Sequence, residues 1–112
     1  MDYYRRYIGD YRRDTGTLTL LDHAVYTLLL DEYYAQNGIL PLPQSQLCIL
    51  CRATSKIERD AVNRISQRFF PANAAGVRHN KRADAELEIA MRAIEKMRLS
   101  GKRGATKRWG TE

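Results

Sequence analysis

The sequence predicts a mainly α-helical domain with a small β-wing, a winged helix-turn-helix carrying an additional C-terminal helix. Three observations predict it. Residues 18–34 form an almost wholly apolar helical segment, which belongs at the centre of a domain. A short helix and a capped second helix follow, joined by the turn Ala53-Thr54. Short extended pieces then flank Asn73-Ala74-Ala75-Gly76, and Ile39-Leu40 offers a third strand. The resulting order is helix, strand, helix, helix, strand, strand.

The first sixteen residues are aromatic and charged, with Tyr3, Tyr4, Tyr7 and Tyr11 among Arg5, Arg6, Arg12 and Arg13. Gly9-Asp10 reads as a bend. The tyrosines can lie over the central helix with their hydroxyls in water. A stacking platform for single-stranded bases is the alternative.

In the central helix, Leu21, Ala24, Val25, Leu28 and Ala35 recur at helical spacing and predict the buried face. Leu20 and Leu29 widen it; Tyr26, Leu30 and Tyr34 fall nearer the other side. Thr19 with Asp22 is a start signal, and Asn37-Gly38 a stop.

Ile39-Leu40-Pro41-Leu42-Pro43 fits an edge strand, where proline is tolerated. Pro43 can open a helix over residues 44–52 with Leu47 and Leu50 inward. Ser55-Lys56-Ile57-Glu58 is a capping box, opening a helix to about Phe69. Ile57, Ala61, Val62, Ile65 and Phe69 are its expected core stripe. The opposite side carries Lys56, Arg59, Asp60, Asn63, Arg64 and Gln67. Asn, Gln and Arg make paired hydrogen bonds to base edges, and Lys and Arg neutralise phosphates. An ordinary solvated helix face has a similar composition, so both readings stand on this helix alone. A wing bearing Arg78 and His79 would lie beside it.

A last helix is expected from about Asn80 to Ser100, with Leu87, Ala90, Met91, Ile94 and Met97 or Arg98 as a narrow stripe. Arg82–Glu86 and Glu88–Arg92 are spaced for support within it. The stripe can cover residues 3–11 or pair with a second subunit as a homodimer. Domain organisation follows: residues 1–99 as one domain, residues 100–112 as a basic, flexible tail with Lys102, Arg103, Lys107 and Arg108.

The formal net charge is +6 and is uneven. Residues 1–37 hold four bases and six acids, whereas residues 96–108 hold six bases and no acid. Such a gradient points to a polyanion, duplex DNA above all. No apolar run reaches the length of a membrane span, and no secretory leader is legible, so no membrane partner and a cytoplasmic setting are expected.

Cys48 and Cys51 have the spacing of metal and redox sites, but they stand among Leu47, Ile49 and Leu50. They read as core thiols, with no metal and no cofactor. Asp10, Asp14, Asp22, His23, Asp31 and Glu32 could serve a metal-dependent nuclease. However, Asp22 and Asp31 lie nine residues apart, half a turn out of phase on one helix. No catalytic residue is assigned and no enzyme is expected. His23 is read as a structural hydrogen-bonding group facing Asp10 or Asp14.

Several blocks resemble the YdaU-like family of phages and prophages: Tyr-Ile-Gly-Asp-Tyr at 7–11, Asp-Thr at 14–15, Leu-Thr-Leu-Leu-Asp-His-Ala-Val-Tyr at 18–26, Gly-Ile-Leu-Pro at 38–41 and Leu-Cys-Arg-Ala-Thr-Ser-Lys at 50–56. The resemblance spans nearly the whole chain. That family commonly has Gly at the positions of Ala24 and Arg52 and Trp at that of Val77. It is often encoded near replication genes, so the resemblance implies replication-associated DNA binding. Asn63, Arg64 and Gln67 would then read bases, while Lys56, Arg59, Arg78 and the four tail residues hold phosphates. The alternatives are a replisome adaptor that binds a helicase or helicase loader, and a phage transcriptional regulator.

Overall fold

The computed structural model describes residues 7–109, with side chains through Gly101. Five helices account for its regular structure: α1 Ile8–Thr15, α2 Leu20–Ala35, α3 Gln44–Cys51, α4 Lys56–Phe69 and α5 Lys81–Trp109. Helix α2 packs most extensively on α4 and also touches α3 and α5.

Local chemistry explains the limits of α2. The Thr19 hydroxyl accepts from the Asp22 N–H at 3.2 Å, satisfying a donor that the first turn leaves open. At the far end Asn37 and Gly38 take φ values of 55° and 89°. Their N–H groups donate to the carbonyls of Tyr34 and Tyr33, the Schellman closure that a left-handed residue permits. Space adds to this preference, because a Cβ there would stand a tight 3.3 Å from the Leu87 side chain of α5, which would have to shift.

The buried face of α2 is Asp22, Val25, Tyr26, Leu29, Leu30, Tyr33 and Tyr34. This corrects the expected face. Ala24, Leu28 and Ala35 are exposed, and Leu20 is 89% exposed. The tyrosines decide the rotation, since each ring can bury about 150–250 Å². Tyr26 meets Phe69 edge-on at 4.7 Å between ring centres, and Tyr33 lies 5.7 Å from Phe70. Burial pushes the Tyr33 and Tyr34 hydroxyls up to about 12.

Helix α1 runs through the expected bend at Gly9-Asp10, which lies in its first turn. Arg82 of α5 reaches back to Asp10 at 2.8 Å and Asp14 at 3.1 Å. It is therefore not paired within its own helix to Glu86. Tyr11 stacks near Tyr26 and shares a 3.0 Å hydrogen bond with His23 Nδ1. His23 is structural as expected, but its partner is Tyr11. Tyr3 and Tyr4 lie outside the described residues.

There is no β-wing: among the described residues no strand or sheet forms, so the chain is not a winged helix. Between α4 and α5 only Ala72 and Arg78 make an isolated antiparallel bridge. The turn itself forms as its residues dictate. The Asn73 side chain accepts from the Ala75 and Val77 N–H groups, and Gly76 has φ 77°. What prevents a third strand is the chemistry at 41–43. Pro41 and Pro43 have no N–H to give a ladder. The Pro41 and Leu42 carbonyls are taken by the Arg78 guanidinium, at 3.2 Å and 2.8 Å, which also donates to the Phe70 carbonyl at 3.0 Å. Arg78 is only 5% exposed. A buried side chain makes the connection that backbone pairing would have made.

Asn80 then starts α5. Its side chain accepts from the Ala83 N–H at 2.9 Å and donates to the Phe69 carbonyl at 3.1 Å. The Tyr33 hydroxyl donates to Asp84, which also meets His79 Nδ1 at 2.9 Å. Ala83 and Leu87 are buried; from Met91 onward every described side chain of α5 is exposed. The helix does not stop at Ser100-Gly101 but continues to Trp109. A glycine inside a helix costs only about 1 kcal/mol against alanine, and no proline intervenes. No helix of the described residues is long and apolar enough to cross a membrane.

Arg78→Ala leaves three carbonyls without their charged donor in a closed setting. We expect a loss of about 3 kcal/mol in urea unfolding with unchanged slope. Arg78→Lys should recover only part of it, because one ammonium cannot reproduce the planar fork.

Candidate nucleic-acid interface

Helix α4 is fixed at its start and along one side, and this fixes what it presents outward. Ser55 Oγ accepts from the Glu58 N–H at 3.2 Å, while Glu58 Oε1 accepts from the N–H groups of Ser55 and Thr54, both at 2.9 Å. The capping box is therefore closed. The Thr54 and Ser55 N–H groups hold the Glu58 carboxyl at about 2, well below its ordinary 4.5. Ala61, Val62, Ile65 and Ser66 are buried. Ile57, expected in the same stripe, is 72% exposed, because the first turn of α4 stands clear of the core.

The remaining side carries Lys56, Arg59, Asp60, Asn63, Arg64 and Gln67, all exposed. They are not equally available. Lys56 Nζ lies 3.1 Å from Asp60, an exposed pair that water weakens. Arg59 donates to the Thr54 carbonyl at 3.2 Å. Arg64 donates to Asp22 of α2 at 2.7 Å, and that carboxylate is largely buried. One fork of Arg64 thus anchors α4 to α2. Its side chain is still 55% exposed, which leaves other N–H groups pointing outward.

Arg78 does not join this face. The sequence suggests a phosphate contact on a wing here, but the Arg78 guanidinium is buried against carbonyls, and burial lowers its pKa. Lys102, Arg103, Lys107 and Arg108 lie on the distal part of α5, and their side chains are outside the described ones. Two exposed arginines near α4 were not among the candidates. Arg52 sits in the connection from α3 with φ 58°. That left-handed conformation is why glycine suits this position. Arg68 lies 4.8 Å above the Phe69 ring and reaches Thr17 at 3.3 Å. A left-handed position is legible in sequence where glycine or asparagine occupies it, as at Asn37-Gly38, and not where arginine does.

Cys48 and Cys51 are partly buried against the core. Burial, with the neighbouring Cys48, pushes the Cys51 thiol up to about 11, so it stays protonated and a poor nucleophile. His79, Asp84, Leu87, Glu88 and Met91 help line an open groove of about 580 Å³ where α5 meets the end of α2.

These features define an all-helical unit, among the described residues, in which α3 and α4 present one polar helix face. Residues 2–88 match the family described as "Protein of unknown function (DUF1376)", and the chain belongs to that family. No curated protein and no solved structure matches it.

The capping box sets a pH dependence with a defined sign. A carboxyl with a depressed folded pKa stabilises above its ordinary range and loses that contribution as pH falls from about 4.5 towards 2. Glu58→Gln should therefore be less stable than the parent at neutral pH, with the difference shrinking in acid. Thermal unfolding across that range measures it.

Proposed function

We propose that this chain binds duplex DNA through the outward face of α4, in a replication-associated setting of phage or prophage origin. The observation that carries the reading is the polar stripe of α4, held out by a closed capping box after a short preceding helix. The spacing of α3, residues 52–55 and α4 is that of a helix-turn-helix, whose second helix enters the major groove. Asn63, Gln67 and the outward part of Arg64 are assigned to base edges. Lys56 and Arg59 are assigned to phosphates, with Arg52 added from its position in the turn. The basic end of α5 supplies further phosphate contacts along the backbone. The phage and replication setting rests on the YdaU-like resemblance.

Without a wing, the face is narrow and Asp60 sits in the middle of it. That acid must approach phosphate whenever α4 does.

Fluorescence anisotropy on random duplex, phage-origin duplex and single-stranded DNA across salt tests the proposal. Each basic side chain engaged on duplex phosphate adds about 0.9 to the slope of log affinity against log salt. The triple variant Arg59→Ala, Asn63→Ala, Arg64→Ala should lose tenfold or more in duplex affinity while keeping its circular dichroism. Asp60→Asn should gain several-fold by removing the repulsion. A triple variant that binds like the parent would contradict the proposal. A parent with no salt-dependent duplex affinity would instead favour the protein-adaptor role.

A further inference from the structure

We propose that Asp22 is a positioning residue for Arg64, holding it so that it selects a guanine in the major groove. The inference rests on the reading of α4 as the DNA-contacting helix, and it names a base that this helix picks. The pair joins separate helices. Asp22 lies in the first turn of α2, where the partial positive charge of a helix start favours a carboxylate. Arg64 lies in α4, 42 residues further on, with its Nη2 at 2.7 Å from the Asp22 carboxylate.

The two side chains are unequally exposed, Asp22 at 11% and Arg64 at 55%. A carboxylate that far from water depends on its counter-charge, because removing one partner of a buried pair strands the other. Arg64 therefore stays on Asp22 when a ligand arrives and does not swing away to a phosphate. The contact occupies one N–H of Nη2; a guanidinium carries several N–H donors in one plane, and the others stay available. A long side chain ordinarily loses rotamer freedom when it binds. Asp22 has already ordered this one, which lowers the cost of binding.

The other bases of this face are held differently. The partner of Lys56 is the exposed Asp60, Arg59 rests on the Thr54 carbonyl, and Arg68 lies over the Phe69 ring. Those groups suit phosphate, which asks chiefly for positive charge. The charge of Arg64 is partly balanced by Asp22, which weakens its pull on phosphate and leaves the directional donors of a planar fork. Guanine matches that fork. In the major groove it shows two adjacent acceptors, N7 and O6, whereas adenine shows one acceptor and one donor. Asn63 and Gln67, exposed beside Arg64, suit adenine, so among these three residues a guanine preference belongs to Arg64.

Selection by the full chain from a pool of duplexes randomised over their central base pairs, read by sequencing, tests the proposal. The parent should enrich guanine at one position of the bound site by roughly tenfold over other bases. Asp22→Asn keeps the shape and removes the charge; Asp22→Ser serves as a second variant. Both should lose most of that preference, with neighbouring positions and the circular dichroism unchanged. Arg64→Ala should lose it entirely, and Asp22→Asn with Arg64→Ala should match Arg64→Ala alone, because Asp22 acts through the arginine. A duplex with 7-deazaguanine at the preferred position lacks the N7 acceptor and should bind the parent several-fold more weakly, but Arg64→Ala equally well. An Asp22 that serves stability alone would lower affinity for every sequence alike and add to the effect of Arg64→Ala; that result would overturn the proposal. Salt-dependent duplex binding without a guanine preference would overturn it too, while leaving the reading of α4 in place. A parent with no duplex affinity would remove both.

Discussion

The guanidinium of Arg78 ties the link between α2 and α3 to the exit of α4 and to the turn before α5, which closes on that exit by the Ala72–Arg78 bridge. It donates to the Pro41 and Leu42 carbonyls in the link between α2 and α3, and to the Phe70 carbonyl just after α4. Hydrogen bonds from a charged donor contribute about 1.5–3 kcal/mol each, against the cost of taking that charge out of water. The balance favours burial here because every contact is a carbonyl dipole already fixed by its own segment. Phe70 is thereby held against Tyr33, and Asn80 is brought to where it can start α5 and bind the Phe69 carbonyl. The exit of α4, the path of the loop and the origin of α5 all follow from this placement.

The same constraint limits where function can reside. A winged domain grips its ligand with a helix and a hairpin; this chain has the helix alone. Its outward face is set by α2 in two ways. The tyrosine side of α2 receives Ala61, Val62 and Ile65, and Asp22 takes one fork of Arg64. Packing therefore orients α4, and a single ion pair fixes its rotation. Next to the polar stripe of α4, Arg52 and Arg68 are the exposed basic side chains among the described residues, and the sequence places further bases along the far end of α5.

Helix starts were legible in the sequence because they are decided locally. Thr19, Ser55 with Glu58, and the stop at Asn37-Gly38 act through hydrogen bonds within a few residues. The rotation of α2 was not, because counting apolar residues ranks Ala24 and Leu28 above Tyr26 and Tyr33, although the rings bury more surface. The wing was misread for a related reason. Asn73 to Gly76 is turn chemistry and does form a turn, but strands need donors on both sides, and Pro41 and Pro43 remove them. Arg78 could not be told from a surface arginine, since its partners lie 36 and 37 residues away. The polar face of α4 was legible; the tether from Arg64 to Asp22, 42 residues apart, was not.

An amide-resolved NMR titration with a short duplex tests the central claim most directly, namely that a wingless domain meets DNA with α4 while Arg78 stays inside. The account predicts shifts concentrated at residues 52–67, with the Arg78 side-chain Nε–H resonance retained and unmoved. Shifts centred on residues 72–78, or exchange of the Arg78 Nε–H into water on binding, would contradict it.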